Sequence, residues 1–156
     1  MFLSMMTILS SFCFSQTSKS FIKKRLDDPR AVYLDETFGV KGDGKHDDAP
    51  CIQRAIDTLY EKRQQGIVFI PRGKYRLGRT IYIWRGIRLI GYGKKRPVFI
   101  LGENTPGYQQ DDRRYIIQFC GSKPKADAEP PDASNTTFGS GIINIDMVIE
   151  KGNPGG

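Results

Sequence analysis

At 156 residues the chain has room for one domain of ordinary size. Its 38% hydrophobic and 26% charged residues are those of a globular protein and exclude a disordered one. The net charge of +7 suits anionic partners, namely acidic glycans, cell-wall polymers, nucleic acid or anionic lipid.

The N-terminus reads as a secretory signal over residues 1–15. Phe2 to Phe14 is apolar, Ser-rich and uncharged, and Cys13 and Ser15 place small residues at −3 and −1 for cleavage before Gln16. No Lys or Arg precedes the run, so a buried N-terminal element is the competing reading. The run falls short of the ~20 apolar residues of a membrane span, so none is expected. Bulky Phe12 argues against a lipid anchor on Cys13. Residues 16–31 are polar and basic and are expected to form a flexible leader.

Val32 to Phe38 has the alternation of a short opening strand. Gly39 to Gly44 is a loop whose glycines permit positive φ. The spacing of Ile52, Ala55, Ile56, Leu59 and Tyr60 predicts an amphipathic helix over 49–64. Asp48 is its expected N-cap, Asp47 adds charge favourable to the dipole, and Pro50 is tolerated in the first turn. Pro50 also disfavours helical geometry at Ala49, which would move the cap one residue on. Gly66 is the expected stop.

Beyond Gly66 the period changes. Short runs rich in Ile, Val and aromatics are broken by Gly and Pro: Ile67–Ile70, Tyr75–Leu77, Thr80–Trp84, Ile87–Ile90, Val98–Leu101, Tyr115–Phe119 and Ile142–Ile149. No helical pattern separates them, which excludes an alternating α/β sheet. The pattern G-I-x-x-I recurs at Gly66, Gly86 and Gly141. Coils of roughly 20–30 residues would stack Ile67, Ile87 and Ile142 on one face, with Ile116–Phe119 filling an intermediate coil. The expected fold is therefore all-β: a right-handed parallel β-helix opened by a capping helix.

Candidate chemistry is sparse. Asp43, Asp47 and Asp48 lie close together but miss the calcium-loop template, since Lys45 and Arg54 take ligand positions. Capping and loop bonding are their expected roles. His46 is the sole histidine, so no zinc site is expected. Gly91-Tyr92-Gly93-Lys94-Lys95 lacks phosphate-loop spacing and reads as a turn between coils. The basic clusters Lys23-Lys24-Arg25, Lys94-Lys95-Arg96 and Arg113-Arg114 come with no recognition helix or RNA-binding aromatics, so a nucleic-acid partner is not expected. Glycosidases need two carboxylates ~5–9 Å apart. Asp111, Asp112, Asp127, Glu129, Asp132 and Asp146 qualify by type, and no spacing selects a pair. Tyr82, Trp84, Tyr92 and Tyr108 could stack on sugar rings, although packing is the commoner use. Cys51 and Cys120 would be left to pair in an oxidising compartment. Lys123 to Asn135 reads as a surface loop, and Asn135-Thr136-Thr137 fits a glycosylation sequon.

Four stretches carry a resemblance: Phe38-Gly39-Val40-x-Gly42-Asp43-Gly44-x-x-Asp47-Asp48; Ile52-Gln53-x-Ala55-Ile56-Asp57; Val68-Phe69-Ile70-Pro71-x-Gly73-x-Tyr75; and Ile87-x-Leu89-Ile90-Gly91-x-Gly93. Together they resemble the start of the pectate-lyase-like superfamily, in its rhamnogalacturonase/epimerase-like group of β-helix domains. Gly152-Asn153-Pro154-Gly155 is similar to a loop of members near the exo-β-1,3-glucanases. Ala49-Pro50 replaces the usual Thr or Ser after the Asp pair. The resemblance implies that residues 32–156 are the N-terminal part of a longer secreted protein acting on polysaccharide, a glycoside hydrolase or a lyase on pectin- or β-glucan-type substrates. A lyase would bring Ca²⁺; no other cofactor is implied. The alternative is a non-catalytic glycan-binding or structural β-helix module. Family catalytic carboxylates fall on later coils, so the matched Gly42, Asp43, Gly44, Asp47, Asp48, Gly66, Pro71, Gly73, Gly91 and Gly93 are expected to be architectural. A stack cut after its first coils exposes apolar surface, so the isolated chain is expected to be poorly stable or prone to aggregate.

Overall fold

The computed structural model describes residues 18–110, 114–125, 128, 130 and 136–155. In chain order these form β1 (Val32–Tyr33), a 3₁₀ turn (Glu36–Phe38), β2 (Asp43–Asp47), α1 (Ala49–Arg63), β3 (Gly66–Pro71), β4 (Lys74–Arg76), β5 (Ile81–Trp84), β6 (Ile87–Tyr92), β7 (Val98–Leu101), β8 (Ile117–Cys120), β9 (Gly141–Ile143) and β10 (Asp146–Ile149). Among the described residues these strands make three parallel sheets, β1-β3-β6-β9, β2-β4-β7-β10 and β5-β8. The chain visits the sheets in fixed rotation: β3, β4, β5; then β6, β7, β8; then β9 and β10. In the opening round β1 and β2 take the first two places, and α1 follows where a third strand would come.

Pleat alternation sends every second side chain inward. Val68 pairs with Leu89, and Leu89 with Ile142; Tyr75 pairs with Phe99, and Phe99 with Met147; Ile81 pairs with Ile117. Val68, Leu89, Phe99 and Ile81 are fully buried. They join one core with Ile52, Ala55, Ile56 and Leu59 of α1. At the far end the same inward positions open to solvent. Met147 is 45% and Ile149 50% exposed, although their partners Phe99 and Leu101 are fully buried.

The G-I-x-x-I echo finds the right sheet and the wrong rungs. Ile87 stands beside Gly66, Ile67 beside Arg88, and Ile142 beside Leu89. A one-residue slip turns a side chain from the inside to the outside. Ile116–Phe119 is not an intermediate coil: residues 117–120 form β8 in the third sheet, so residues 87 to 142 span a single round with long insertions. The run Ile142–Ile149 is two strands in two sheets, broken where Asn144 turns left-handed at φ 58°. The opening strand keeps only Val32 and Tyr33, because Asp35 accepts from the Thr37 amide (3.0 Å) and starts the 3₁₀ turn.

Both helix boundaries also differ. Asp48 is helical itself (φ −89°, ψ −4°) and makes no side-chain cap bond. Its carboxylate, 1% exposed with the whole residue, instead accepts from the Lys41 and Gly42 amides at 2.8 and 2.9 Å. Asp47 receives the Ala49 amide at 3.0 Å and the Gly78 amide at 2.8 Å. The helix stops at Gln64, which turns left-handed at φ 58°, and Gly66 already belongs to β3. Gly91 lies inside β6, where a Cβ would come within 2.2 Å of the Asn144 carbonyl oxygen of the next round. Cys51 and Cys120 do not form the disulfide that an oxidising compartment would permit.

The leader is docked from Ser18 onward. The Ser18 amide donates to Asp146 (3.0 Å), and buried Ser20 accepts from the Asn144 amide group (2.8 Å). Ile22 accepts from the Gly93 amide (2.9 Å), and Leu26 from the Tyr33 hydroxyl (2.8 Å). The segment thus crosses from the third round to the opening one before β1 begins.

α1 closes the near end of the stack. Gln53 donates to the Tyr82 carbonyl (3.1 Å) and accepts from the Tyr82 amide (2.9 Å), on the side of β5 away from β8. Asp57 accepts from Trp84 Nε1 at 2.7 Å, and Tyr82 and Trp84 stack with ring centroids 5.9 Å apart.

Two substitutions test these assignments. Asp48→Ser keeps a good N-cap residue type but removes a carboxylate holding two amides, so it should cost about 3 kcal/mol in denaturant melts, as much as Asp48→Ala. Wild-type stability in the serine variant would restore the cap assignment. Gln53→Ala removes two hydrogen bonds that tie α1 to β5 and should cost about 2 kcal/mol by the same measurement.

Candidate functional site

The residues of the matched motif bond to the chain itself. Asp43 accepts from the Lys45 amide (2.8 Å) and the His46 amide (3.1 Å), and its second oxygen meets His46 Nδ1 at 2.8 Å. Led by the Lys45 amide, these bonds hold the Asp43 carboxyl well below the usual carboxylate range. The ring of Tyr75 packs against Gly42 and Gly73, where a Cβ would lie 3.2 and 2.9 Å from it, and its hydroxyl donates to the Pro71 carbonyl (2.7 Å). Burial, with the Asp48 charge second, pushes the Tyr75 phenol well up. Gly93 follows β6 at φ 126°, where β-carbon residues are strained, while Gly44 does the same inside β2 at φ 77°.

A calcium reading of Asp43, Asp47 and Asp48 does not fit this geometry, because each carboxylate serves different backbone amides. Among the described residues no group of three His, Cys, Asp or Glu side chains is arranged to hold a metal. Asp146 is engaged by the Ser18 amide and by Arg96 (3.3 Å). Asp111, Asp112, Asp127, Glu129, Asp132, Asn135 and residues 1–15, where a signal segment is expected, lie outside the described residues. Of the aromatics, Trp84 and Tyr108 are buried, Tyr82 stacks on Trp84, and Tyr92 meets Phe69 edge-on.

The feature that sequence reasoning missed is a cleft. It encloses about 910 Å³ at the corner between the end of α1 and the starts of β3 and β6. The corner is built from stacked turns: the Gly66 amide donates to Gly86 O and the Gly86 amide to Phe138 O, both at 3.0 Å. Around it stand Arg30, Lys62, Arg63, Arg85 and Arg88, all exposed, with Phe138 74% exposed beside them. Asp28 is the acidic residue of the lining. Its carboxyl accepts from the Arg30 amide at 2.9 Å, and this bond, aided by the Arg30 side chain and the Arg63 charge, lowers its pKa. Among the described residues no carboxylate lies within ion-pair distance of Lys62, Arg63, Arg85 or Arg88. These residues are scattered in sequence and outside the three basic clusters, so only strand register and the helix end bring them together. The signal available was the pair Arg85 and Arg88 flanking Gly86-Ile87 at a strand start. Chemically the cleft can hold negative charge; its one carboxylate is occupied, so it offers no acid–base pair.

Parallel sheets visited in rotation, with one end covered by a helix, define a class of parallel-β proteins. The family model of rhamnogalacturonase A/epimerase, pectate lyase-like proteins matches residues 35–156, and the chain belongs to that family. Mannuronan C5-epimerase AlgE3 of Azotobacter vinelandii is 36% identical over 77 residues, covering 45% of this chain and 4% of the epimerase. Alginate lyase 7 of the same organism is 49% identical over 45 residues, covering 29% of this chain and 5% of the lyase. The chain thus matches only a small fraction of the length of these relatives. Among solved structures, Geobacillus virus E2 ORF18 aligns at 27% identity over 75% of this chain and 20% of its own, with a TM-score of 0.49. Among the described residues no helix is long and apolar enough to cross a membrane.

Asp43 gives a direct check on the matched loop. Its folded pKa is depressed, so its contribution to stability is present above the ordinary carboxylate value and is lost only as pH falls well below it. An NMR titration of its side-chain carbon should show a midpoint clearly under ~3.9. A midpoint at that ordinary value would mean the loop bonds do not form in solution.

Proposed function

We propose that this chain forms the opening rounds of a right-handed parallel β-helix in a secreted protein that acts on polysaccharide. The observation that carries the reading is the rotation of strands through three parallel sheets, in a chain belonging to the pectate-lyase-like family. Such stacking lays successive strands side by side and gives a long surface suited to an extended polymer. The alginate-directed names of the two relatives favour a uronate polymer over a neutral one.

In this proposal the reacting residues stand on rounds beyond those described, because Asp43, Asp47, Asp48 and Asp146 are committed to backbone amides or to Arg96. For a uronate polymer the chemistry would be proton abstraction beside the sugar carboxylate, giving elimination in a lyase or inversion at carbon 5 in an epimerase. A hydrolase would use two carboxylates across the glycosidic bond.

The test is to incubate the whole protein carrying this chain with alginate, polygalacturonate and a β-1,3-glucan. Unsaturated ends identify a lyase, altered C5 proton signals an epimerase, and new reducing ends without unsaturation a hydrolase. Binding without turnover identifies a glycan-binding module. Neither binding nor turnover across a broad glycan panel would overturn the proposal.

A further inference from the structure

We infer that the cleft at the end of α1 is a charge-holding subsite for a carboxylated polysaccharide, gripping the polymer's carboxylates without taking part in bond chemistry; this rests on the polysaccharide reading and extends it to a place and a ligand class.

Four cations line it, and among the described residues none of them has a carboxylate within ion-pair distance; the one carboxylate of the lining, Asp28, is bonded to Arg30 and feels the Arg63 charge. Lys62 and Arg63 have a local explanation, since they sit in the last helical turn, where positive charge complements the dipole. Arg85 and Arg88 have none. They come from the turn before β6 and from β6 itself, across the cleft from the helix end. Their guanidinium forks match a carboxylate in two-point geometry, which a lysine cannot do. Backbone bonds from Gly66 to Gly86 and from Gly86 to Phe138 join the turns that carry Arg85 and Phe138 to the start of β3. Phe138 offers an exposed ring to a sugar's apolar face beside these charges.

Nucleic acid fits less well. Single-stranded binders rely on several aromatics on which successive bases stack, and Phe138 is the lone aromatic of this lining. Repeating carboxylates along a polymer demand only spaced cations and one ring.

The experiment compares the whole wild-type protein with Arg85→Ala/Arg88→Ala, and with Lys94→Ala/Lys95→Ala as a surface-charge control of equal size. All four side chains are exposed, and matched thermal melts verify folding. Binding is measured by calorimetry with oligomannuronate, oligogalacturonate, a β-1,3-glucan oligosaccharide and a single-stranded oligonucleotide, at low and physiological salt. Wild type should bind an oligouronate with affinity that falls as salt rises. The arginine variant should lose roughly tenfold. The lysine control should lose little. Equal losses in the two variants would reduce the effect to overall charge and overturn the site. An unchanged arginine variant, or an oligonucleotide bound more tightly than either uronate and released by the arginine substitutions, would also overturn it. Glucan binding or turnover without uronate binding would sink the subsite and leave the polysaccharide reading standing; no glycan binding at all would sink both.

Discussion

A stack of parallel strands has to end somewhere, and its last strand carries amides and carbonyls with no next strand to meet. At the near end of this protein a side chain solves the problem. Gln53 presents one carbonyl and one amide group to Tyr82 in the spacing of a neighbouring peptide. α1 can therefore stand where a strand would, bond to the edge of β5, and lay Ile52, Ile56 and Leu59 over the core in the same step. An edge left bare would be a template for foreign strands. A helix without a polar anchor would bury the core and leave the β5 backbone unsatisfied. Both requirements meet on one face, which is why the apolar stripe and Gln53 are neighbours on the helix.

The cap also creates the cleft. The helix must end near the corner where each round re-enters the first sheet, because β3 begins there. Its last-turn cations are thus carried to the turns holding Arg85 and Gly86, and register places Arg88 alongside. The charge cluster is a by-product of capping geometry combined with an outward-facing strand position. Two buried asparagines play a matching role at other corners. Asn144 ties Ser20 to the Gly91 carbonyl, and Asn153 links Thr105, Gly102 and Glu150. The Gly152-Asn153-Pro154-Gly155 segment therefore fastens the insertion that follows β7.

Much of this was readable from residues in order. The helix follows from its 3.6-residue stripe, and most strands follow from apolar runs between Gly and Pro, because both signals are local. What failed was whatever depends on a partner far away in sequence. Asp48 has the right residue type for a cap, yet the Lys41 and Gly42 amides compete for its carboxylate and win, leaving Asp47 to serve the helix start. The Gly-Ile echo is genuine as a string, but with a period of two a one-residue offset reverses which face is buried. The length of a round is not legible in the sequence, because the long insertions between β7 and β9 carry no periodic signal. The cationic cleft was hidden for the same reason, since its members share a corner and no sequence neighbourhood.

The route of the leader has a mechanical consequence. It starts beside Asn144 and Asp146, passes Gly93, and reaches Tyr33 before the first strand forms. From Ser18 the chain therefore runs alongside rungs that it has yet to wind. Tension applied at Ser18 is delivered to the third level first and runs lengthwise along the pile, so it loads several ladders in shear together instead of peeling the lowest rung away from its neighbour.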